Sequence, residues 1–365
     1  MVGMIQLDGS FGEGGGSVLR QALALSILTG KEVNVKNIRS NRPKPGLSYQ
    51  HLAALNVAAE VCGATVWGNS LGSTEVFFKP GDYKGGIRRF DIGTAGSVTL
   101  FLQSLLLPAV FSKKRSVFTI IGGTDVSWSQ PFDYLKNVFL PQLRRFADVD
   151  VQLFKRGYYP KGGGEVRISI NGRHSVSGED DHDGLKQILL TSRGNLLQVR
   201  GSSHASVDLE EHKVSERQGE SAKLRLKELG VPVAVMNEYS NSLGAGSGIV
   251  LWALFGTDEI DFLNPVVLGA DSLGERGKRA EQVGLEASDS LIGFIKSGAC
   301  VDEYLCDQLI PYLAVVGGVI RTNKVTDHTL SNIYVAEKFL DVRFEVKDDL
   351  VSCGPRAMRG SSGED

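Results

Sequence analysis

The sequence predicts an α/β (α+β) protein in which repeated βαβαββ units carry sheets covered by helices, with a smaller α/β domain inserted. Three observations lead to this prediction. The strand-helix-strand-helix-strand-strand order recurs, glycine loops open several helices, and a central stretch interrupts the pattern. With 365 residues, of which 42% are apolar and 22% charged, the chain is long enough for two cores.

The first unit begins near the N-terminus. Residues 4–9 are typical of a short alternating strand, a glycine loop follows, and the apolar segment 17–29 indicates a helix that Gly30 ends. Three further segments complete the unit: a strand at 32–38, a helix at 48–61 and β-rich stretches at 64–79.

The same order returns from residue 89, and the tripeptide Gly-Ser-Val at 16–18 recurs at 96–98. This shared tripeptide, at the same place in both units, supports an internal repeat. The second unit is predicted to contain strand 90–92, helix 97–111, strand 117–121, helix 131–146 and strands near 149–154 and 164–170. A third unit is predicted to contain helix 301–316, strand 318–325, helix 328–340 and strand 342–347.

Between the second and third units the strand and helix order departs from the repeat. This stretch is predicted to hold strands around 195–205 and 247–255, a charged helix at 211–229 and another helix at 272–297. The polar segment 171–184 is typical of a linker. We therefore predict a large domain at 1–184 and 285–350, an inserted domain at 185–284, and a flexible C-terminal tail at 351–365.

Charge and composition restrict the possible partners. The formal net charge of −2 gives no overall positive field for a long nucleic acid, so any such contact must be local, for example at a chain end. No apolar run reaches the roughly 20 residues that span a bilayer, and no charged-then-apolar leader is present, which predicts a cytoplasmic protein. The four cysteines lack Cys-x-x-Cys spacing and are predicted to be unpaired thiols.

The segment from Asp8 to Arg20 is a glycine loop that leads from a strand into a helix. Backbone N–H groups at such a helix start suit a phosphate, although the spacing matches neither known glycine-rich nucleotide motif. Glu13 offers a carboxylate for a metal, and Arg20 offers a cation for a phosphate. The alternative for the loop is a tight structural turn.

A second loop carries Arg39, Arg42 and Lys44, is stiffened by Pro43 and Pro45, and leads into a helix with Gln50 near its start. Three cations on a stiffened loop would form a phosphate clamp, and the alternative is a solvated basic loop. His51 lies in an apolar helix and is predicted to be packed.

The later units add further polar candidates. Gln103 lies in the helix after the second glycine loop, and Pro131 closes a polar, turn-rich strand exit. In the third unit Tyr304, Asp307 and Gln308 share one helix face. His328 starts a helix, where the dipole keeps imidazole neutral and therefore nucleophilic, and a capping or surface role is the alternative. The candidate set is Glu13, Arg20, Arg39, Arg42, Gln50, Gln103, Pro131, Tyr304, Asp307, Gln308 and His328.

Over nearly its whole length the sequence resembles the RNA 3'-terminal phosphate cyclase family, most specifically in residues 8–20, 39–51, 122–125, 156–164, 303–309 and 328–332. The resemblance implies units similar to the C-terminal domain of a translation initiation factor, plus an insert. It implies that ATP adenylates His328, that AMP passes to an RNA 3'-phosphate, and that the 2'-hydroxyl then closes a 2',3'-cyclic phosphate.

The resemblance also implies roles for the other candidates. Glu13 would hold Mg²⁺ or Mn²⁺, and Arg20, Arg39, Arg42 and Gln50 would bind phosphate oxygens. Tyr304 and Pro131 would sandwich adenine, with Gln103, Asp307 and Gln308 completing the ATP pocket. Partners would be RNA 3'-phosphate ends, without a membrane, and the protein would be a monomer or homodimer.

Two alternatives share this type of fold. A non-catalytic cyclase-like protein of ribosome biogenesis would lack the nucleophilic histidine, whereas this chain carries His328. An enolpyruvyl transferase would also use arginines for phosphate but would form no adenylated intermediate. One departure from the family pattern is Asp327 beside His328, where a carboxylate near the ring would favour imidazolium; we expect it to point away or to cap the helix.

Overall fold

In a computed structural model, which describes residues 3–176 and 185–354, the first unit has the predicted order. Its first two strands pair in parallel, and the fourth strand lies antiparallel between the second and the third. The unit contains β1 (Ile5–Asp8), α1 (Ser17–Thr29), β2 (Val33–Lys36), α2 (Tyr49–Cys62), β3 (Thr65–Trp67) and β4 (Val76–Lys79).

The second unit repeats the same pairing. It contains β5 (Gly86–Asp91), α3 (Val98–Val110), β6 (Ser116–Gly122), α4 (Phe132–Tyr134), α5 (Leu140–Leu143), β7 (Ala147–Lys155) and β8 (Gly164–Gly172). The helix predicted at 131–146 is broken, because a π-helical turn at Leu135–Phe139 separates α4 from α5, and Pro141 follows at the start of α5.

The third unit is divided, which the sequence analysis did not foresee. Its first strand precedes the insertion, so the insertion interrupts this unit and does not lie before it. Its sheet has the order β9-β14-β16-β15, with the same parallel and antiparallel pairings as the other two units. The elements are β9 (Ile188–Leu190), α8 (Glu303–Val316), β14 (Gly318–Arg321), α9 (Asp327–Phe339), β15 (Phe344–Lys347) and β16 (Leu350–Cys353).

The insertion has its own four-stranded sheet, in the order β11-β10-β12-β13. The helix predicted at 272–297 starts too early, because its first residues end a strand and Gly277, with φ +85°, intervenes. The elements are β10 (Asn195–Ser206), α6 (Val214–Leu226), β11 (Val233–Ser240), β12 (Ser247–Gly256), β13 (Val266–Leu273) and α7 (Ala280–Lys296).

Strand pairing shifts the boundaries drawn from the sequence. β9 lies in the insert predicted at 185–284 but pairs with β14, and residue 284 falls inside α7. The tail predicted at 351–365 also starts too early, because β16 pairs with β14 through residue 353. Residues 355–365, like most of the predicted linker at 171–184, lie outside the described residues. The division into two domains stays a prediction.

α1 is the central helix of the repeats. It contacts α2, α3 and α9, and nearly all of its residues are buried, including Arg20. Burying apolar side chains on every side of one helix joins three units in one core.

All four cysteines are buried and unpaired, as predicted. Among the described residues, the helices are too short or too polar to cross a bilayer.

Candidate active site

A cavity of about 610 Å³ opens where the three units meet the insertion. It is lined by residues from the starts of α1, α2 and α9, from α3 and α8, and from β13 and α7 of the insertion. This volume lies within the range typical of pockets for small ligands.

The glycine loop forms the floor next to α1. Gly12 has φ +65°, a left-handed conformation that side chains rarely adopt, and a Cβ there would lie 2.2 Å from Ser331 Oγ. A Cβ at Gly16 would lie 1.9 Å from His51 Nε2. Gly16 caps α1 without a side-chain hydrogen bond, and Gly15, Gly16 and Ser17 line the cavity. The first amides of α1 can therefore bind an anion there.

His328 is the second residue of α9 and lines the cavity. Thr326 caps this helix through a capping box, so exposed Asp327 is not its cap. His328 Nε2 lies 2.6 Å from Glu13 Oε2, and Arg42 Nη2 lies 2.5 Å from Glu13 Oε1. Burial lowers the pKa of His328, and this effect exceeds the opposing influence of Glu13. The ring is therefore mainly neutral at pH 7.

Arg20 extends from the buried face of α1 into the same cavity. Its Nε donates a 3.0 Å hydrogen bond to Gln103 Oε1 on α3. Burial lowers the pKa of Arg20 to about 10, which leaves it charged at neutral pH. His51 lies beside it, and burial lowers the pKa of His51 to about 3, so this ring stays neutral as the packed-histidine interpretation expects.

Asp307 anchors the start of α9. The hydroxyls of Thr326 and Thr329 donate to Asp307 Oδ1 over 2.8 and 2.5 Å. Burial raises the pKa of Asp307 to about 7. Beside it, the buried Gln308 Nε2 has no hydrogen-bond partner among the described residues. An unpaired buried donor in a cavity wall favours a ligand there.

The insertion contributes the wall that the sequence analysis missed. Asp271, Ser290 and Phe294 line the cavity from β13 and α7. Burial raises the pKa of Asp271 to about 7. The side chain of Asp302 positions this wall, because it caps α8 at Tyr304 and also accepts a 2.9 Å hydrogen bond from Gly269 N on the edge strand β13. No local pattern in 269–294 indicates this placement, which depends on strand pairing.

The structure brings the predicted site residues together, with one exception. Pro131 is buried and is not among the residues lining the cavity, although Gln130 is. Lys44 is exposed and does not line it either. Trp128, which was not predicted from the sequence, lines the cavity from the loop before α4. A tryptophan in a polar, turn-rich loop was the available signal. The predicted site residues that do line the cavity are Glu13, Arg20, Arg39, Arg42, Gln50, Gln103, Tyr304, Asp307, Gln308 and His328.

A second ionic cluster, which we call the sealed cluster, contains Arg156, Asp125, Asp133, Glu238 and His204. Arg156 Nη1 lies 3.1 Å from Asp125 Oδ2, Nη2 lies 2.6 Å from Asp133 Oδ2, and Nε lies 2.5 Å from Glu238 Oε1. Asp125, Asp133 and His204 have the spacing of metal ligands, but the guanidinium already supplies the cation between the two aspartates. Since His204 and Glu238 belong to β10 and β11, the cluster fixes the insertion against the second unit.

Comparisons with known proteins give the family. A family model described as "RNA 3'-terminal phosphate cyclase" matches residues 11–346. Proteins named RNA 3'-terminal phosphate cyclase in Pyrococcus furiosus and Archaeoglobus fulgidus are 47% and 45% identical, over 94% of this chain and 95% and 98% of theirs. A relative of the same name in Methanosarcina mazei is 43% identical, over 94% of this chain and 97% of its own. The chain therefore belongs to the RNA 3'-terminal phosphate cyclase family.

Proposed function

We propose that the protein uses ATP to convert an RNA 3'-terminal phosphate into a 2',3'-cyclic phosphate, with His328 as nucleophile. A ring nitrogen of His328 attacks the α-phosphorus of ATP, and pyrophosphate leaves. The RNA 3'-phosphate then attacks the phosphoramidate and takes the AMP, which releases His328. Finally the 2'-hydroxyl loses its proton as its oxygen attacks the 3'-phosphorus, and AMP leaves.

The single observation that carries this proposal is the placement of His328. Burial and the nearby Arg20 and Arg42 lower the pKa of its ring, which favours the neutral form. The ring lies at the positive end of α9, contacts Glu13 over 2.6 Å, and lines a cavity of nucleotide size. Forming a phosphoramidate requires an unprotonated ring nitrogen and cations that offset the charge developing on the leaving pyrophosphate.

Glu13 would supply one carboxylate ligand to a divalent metal, and phosphate oxygens of the triphosphate would supply the others. Because its two oxygens contact Arg42 and His328, the metal would replace at least one of these contacts. Mg²⁺ or Mn²⁺ bound there would offset charge on the pyrophosphate. Arg20, Arg39, Arg42 and Gln50 also line the cavity and would bind phosphate oxygens.

Other residues of the cavity suit the nucleoside. Tyr304 is 38% exposed and offers a ring face to adenine. The unpaired Gln308 amide would donate to the ribose or base, and Gln103, fixed by Arg20, would complete the pocket. Pro131 could take its proposed place against adenine only if the loop 128–131 moved, because it does not line the cavity.

The test is transfer of label from α-labelled ATP in the presence of magnesium. Wild type is expected to retain acid-labile label through denaturing electrophoresis, and His328→Ala is expected to retain none. His212→Ala is the matched control, because this histidine is exposed and outside the cavity, and it should label like wild type. Absence of label on wild type would overturn the proposal and favour the non-catalytic alternative.

A further inference from the structure

Trp128 is the most exposed large apolar side chain of residues 3–176 and 185–354, with 95% of its surface accessible. It nevertheless lines the cavity, so its ring lies at the rim. Its backbone has φ +68°, in the left-handed region that a bulky residue rarely adopts. Holding such a conformation costs on the order of 1–3 kcal/mol, and an exposed indole recovers little by burial.

The loop that carries Trp128 is anchored at both ends. Phe132 N donates to Thr124 O over 2.9 Å, and Thr99 Oγ1 donates to Gln130 O over 2.8 Å. Asp125 is locked in the sealed cluster. Because the base of the loop is fixed, the backbone of Trp128 has a defined place at the rim. An exposed aromatic ring at such a place is suited to stacking with a flat ligand group.

Two flat groups reach this cavity if the proposed function holds, namely the adenine of ATP and the bases of the RNA. The cavity has a volume suited to ATP, and Tyr304, which is 38% exposed, already offers a ring there. RNA is the ligand that must extend from the cavity into solvent, because only its 3' end takes part in the reaction. A ring that is almost completely exposed at the rim therefore meets the RNA.

We propose that Trp128 stacks on the terminal nucleobase of the RNA whose 3'-phosphate enters the cavity, an inference that rests on the proposed function. Base–aromatic stacking needs no particular base, since every base has a π face. Trp128 would thus hold the RNA end without reading its sequence. This fits a protein whose net charge of −2 offers no overall attraction to RNA backbone.

The experiment measures binding of a fluorescent single-stranded RNA oligonucleotide with a 3'-phosphate by anisotropy, without ATP. A matched oligonucleotide has an abasic terminal ribose that keeps its 2'-hydroxyl and 3'-phosphate. We expect Trp128→Ala to raise the Kd about 10-fold for the first RNA and less than about 2-fold for the abasic one. Trp128→Phe should recover most of the loss.

Trp67→Ala is the matched control, because Trp67 is 60% exposed but lies on β3, outside the cavity. It should bind both RNAs like wild type. An equal loss for both RNAs in Trp128→Ala, or no loss for either, overturns the stacking role. If Trp128→Ala instead weakens labelling by ATP as much as it weakens RNA binding, the ring belongs to adenine and the inference fails. Failure of wild type to take label would reject the proposed function, while the anisotropy comparison would still decide the role of Trp128.

Discussion

Two ionic clusters of the same chemistry differ in what surrounds them. In the sealed cluster, the guanidinium of Arg156 is 1% exposed and meets three carboxylates. In the cavity, Arg42 and Glu13 are each 38% exposed, and Glu13 has only Arg42 and His328 as charged or imidazole neighbours within 4 Å among the described residues. Arginine and carboxylate thus serve two purposes in one molecule, according to whether water and ligands can reach them.

The difference shows how burial sets the electrostatic role of a group. Burial alone would raise the pKa of Asp125. Arg156 and His204 nevertheless hold this pKa below its ordinary value. Water and ligands cannot reach Arg156 or Asp125, and Glu238, 43% exposed, is the member of this cluster most open to solvent, so the cluster holds the insertion in place. The cavity cluster keeps its charges accessible, so a phosphate or metal can replace their mutual contacts.

Arg156→Ala should have the largest effect on stability. It leaves three carboxylates at the interface without their cation, and removing one partner of a buried ion pair costs about 3–5 kcal/mol. Equilibrium unfolding in urea would measure this loss. The matched control is Arg173→Ala, since Arg173 pairs with Asp148 at the surface and should change the free energy of unfolding by under about 1 kcal/mol. Similar losses in the two variants would contradict the contrast between sealed and open pairs.

Asp307 should make stability depend on pH. Its folded pKa of about 7 exceeds its ordinary value of 3.8, so its contribution is complete below about pH 4 and is lost as pH rises through 7. Asp307→Asn removes this proton, so the free energy of unfolding of wild type should fall by about 2 kcal/mol more than that of the variant between pH 5 and pH 7.

Urea unfolding at several pH values checks this prediction. Asp150→Asn, which replaces an exposed aspartate on β7, is the control and should keep the wild-type slope. Parallel pH profiles for wild type and Asp307→Asn would show that Asp307 ionises normally in the folded protein.

Arg42→Ala should have the smallest effect on stability and a large one on chemistry. Because its pair with Glu13 is open to solvent, its loss should change the free energy of unfolding by under about 1 kcal/mol. Loss of a cation that faces the phosphates should slow labelling by ATP about 100-fold. Lys44→Ala, on the same loop but outside the cavity, should label at the wild-type rate. Equal labelling rates for both variants would remove Arg42 from the phosphate site.

The three repeated units could be predicted from sequence because local signals dominate their helices and loops. The apolar run of α1 and its terminal Gly30 placed that helix within the chain without any tertiary information. Prediction failed for β9, three residues whose strand identity depends on pairing with β14 far along the chain. The early start predicted for α7 failed for a related reason, since β13 is decided by its pairing with β12.

The sequence by itself determined the repeat, the insertion, the glycine loop and the polar residues gathered around His328. Those features depend on spacing along the chain, where periodicity and turn residues act over a few positions. Only the tertiary structure decided which residues are open to a ligand. It buried Pro131, exposed Trp128, brought Asp271 from the insertion into the cavity wall and sealed Arg156 among carboxylates. Burial and long-range pairing depend on which surfaces meet, and that is settled by packing of the whole chain.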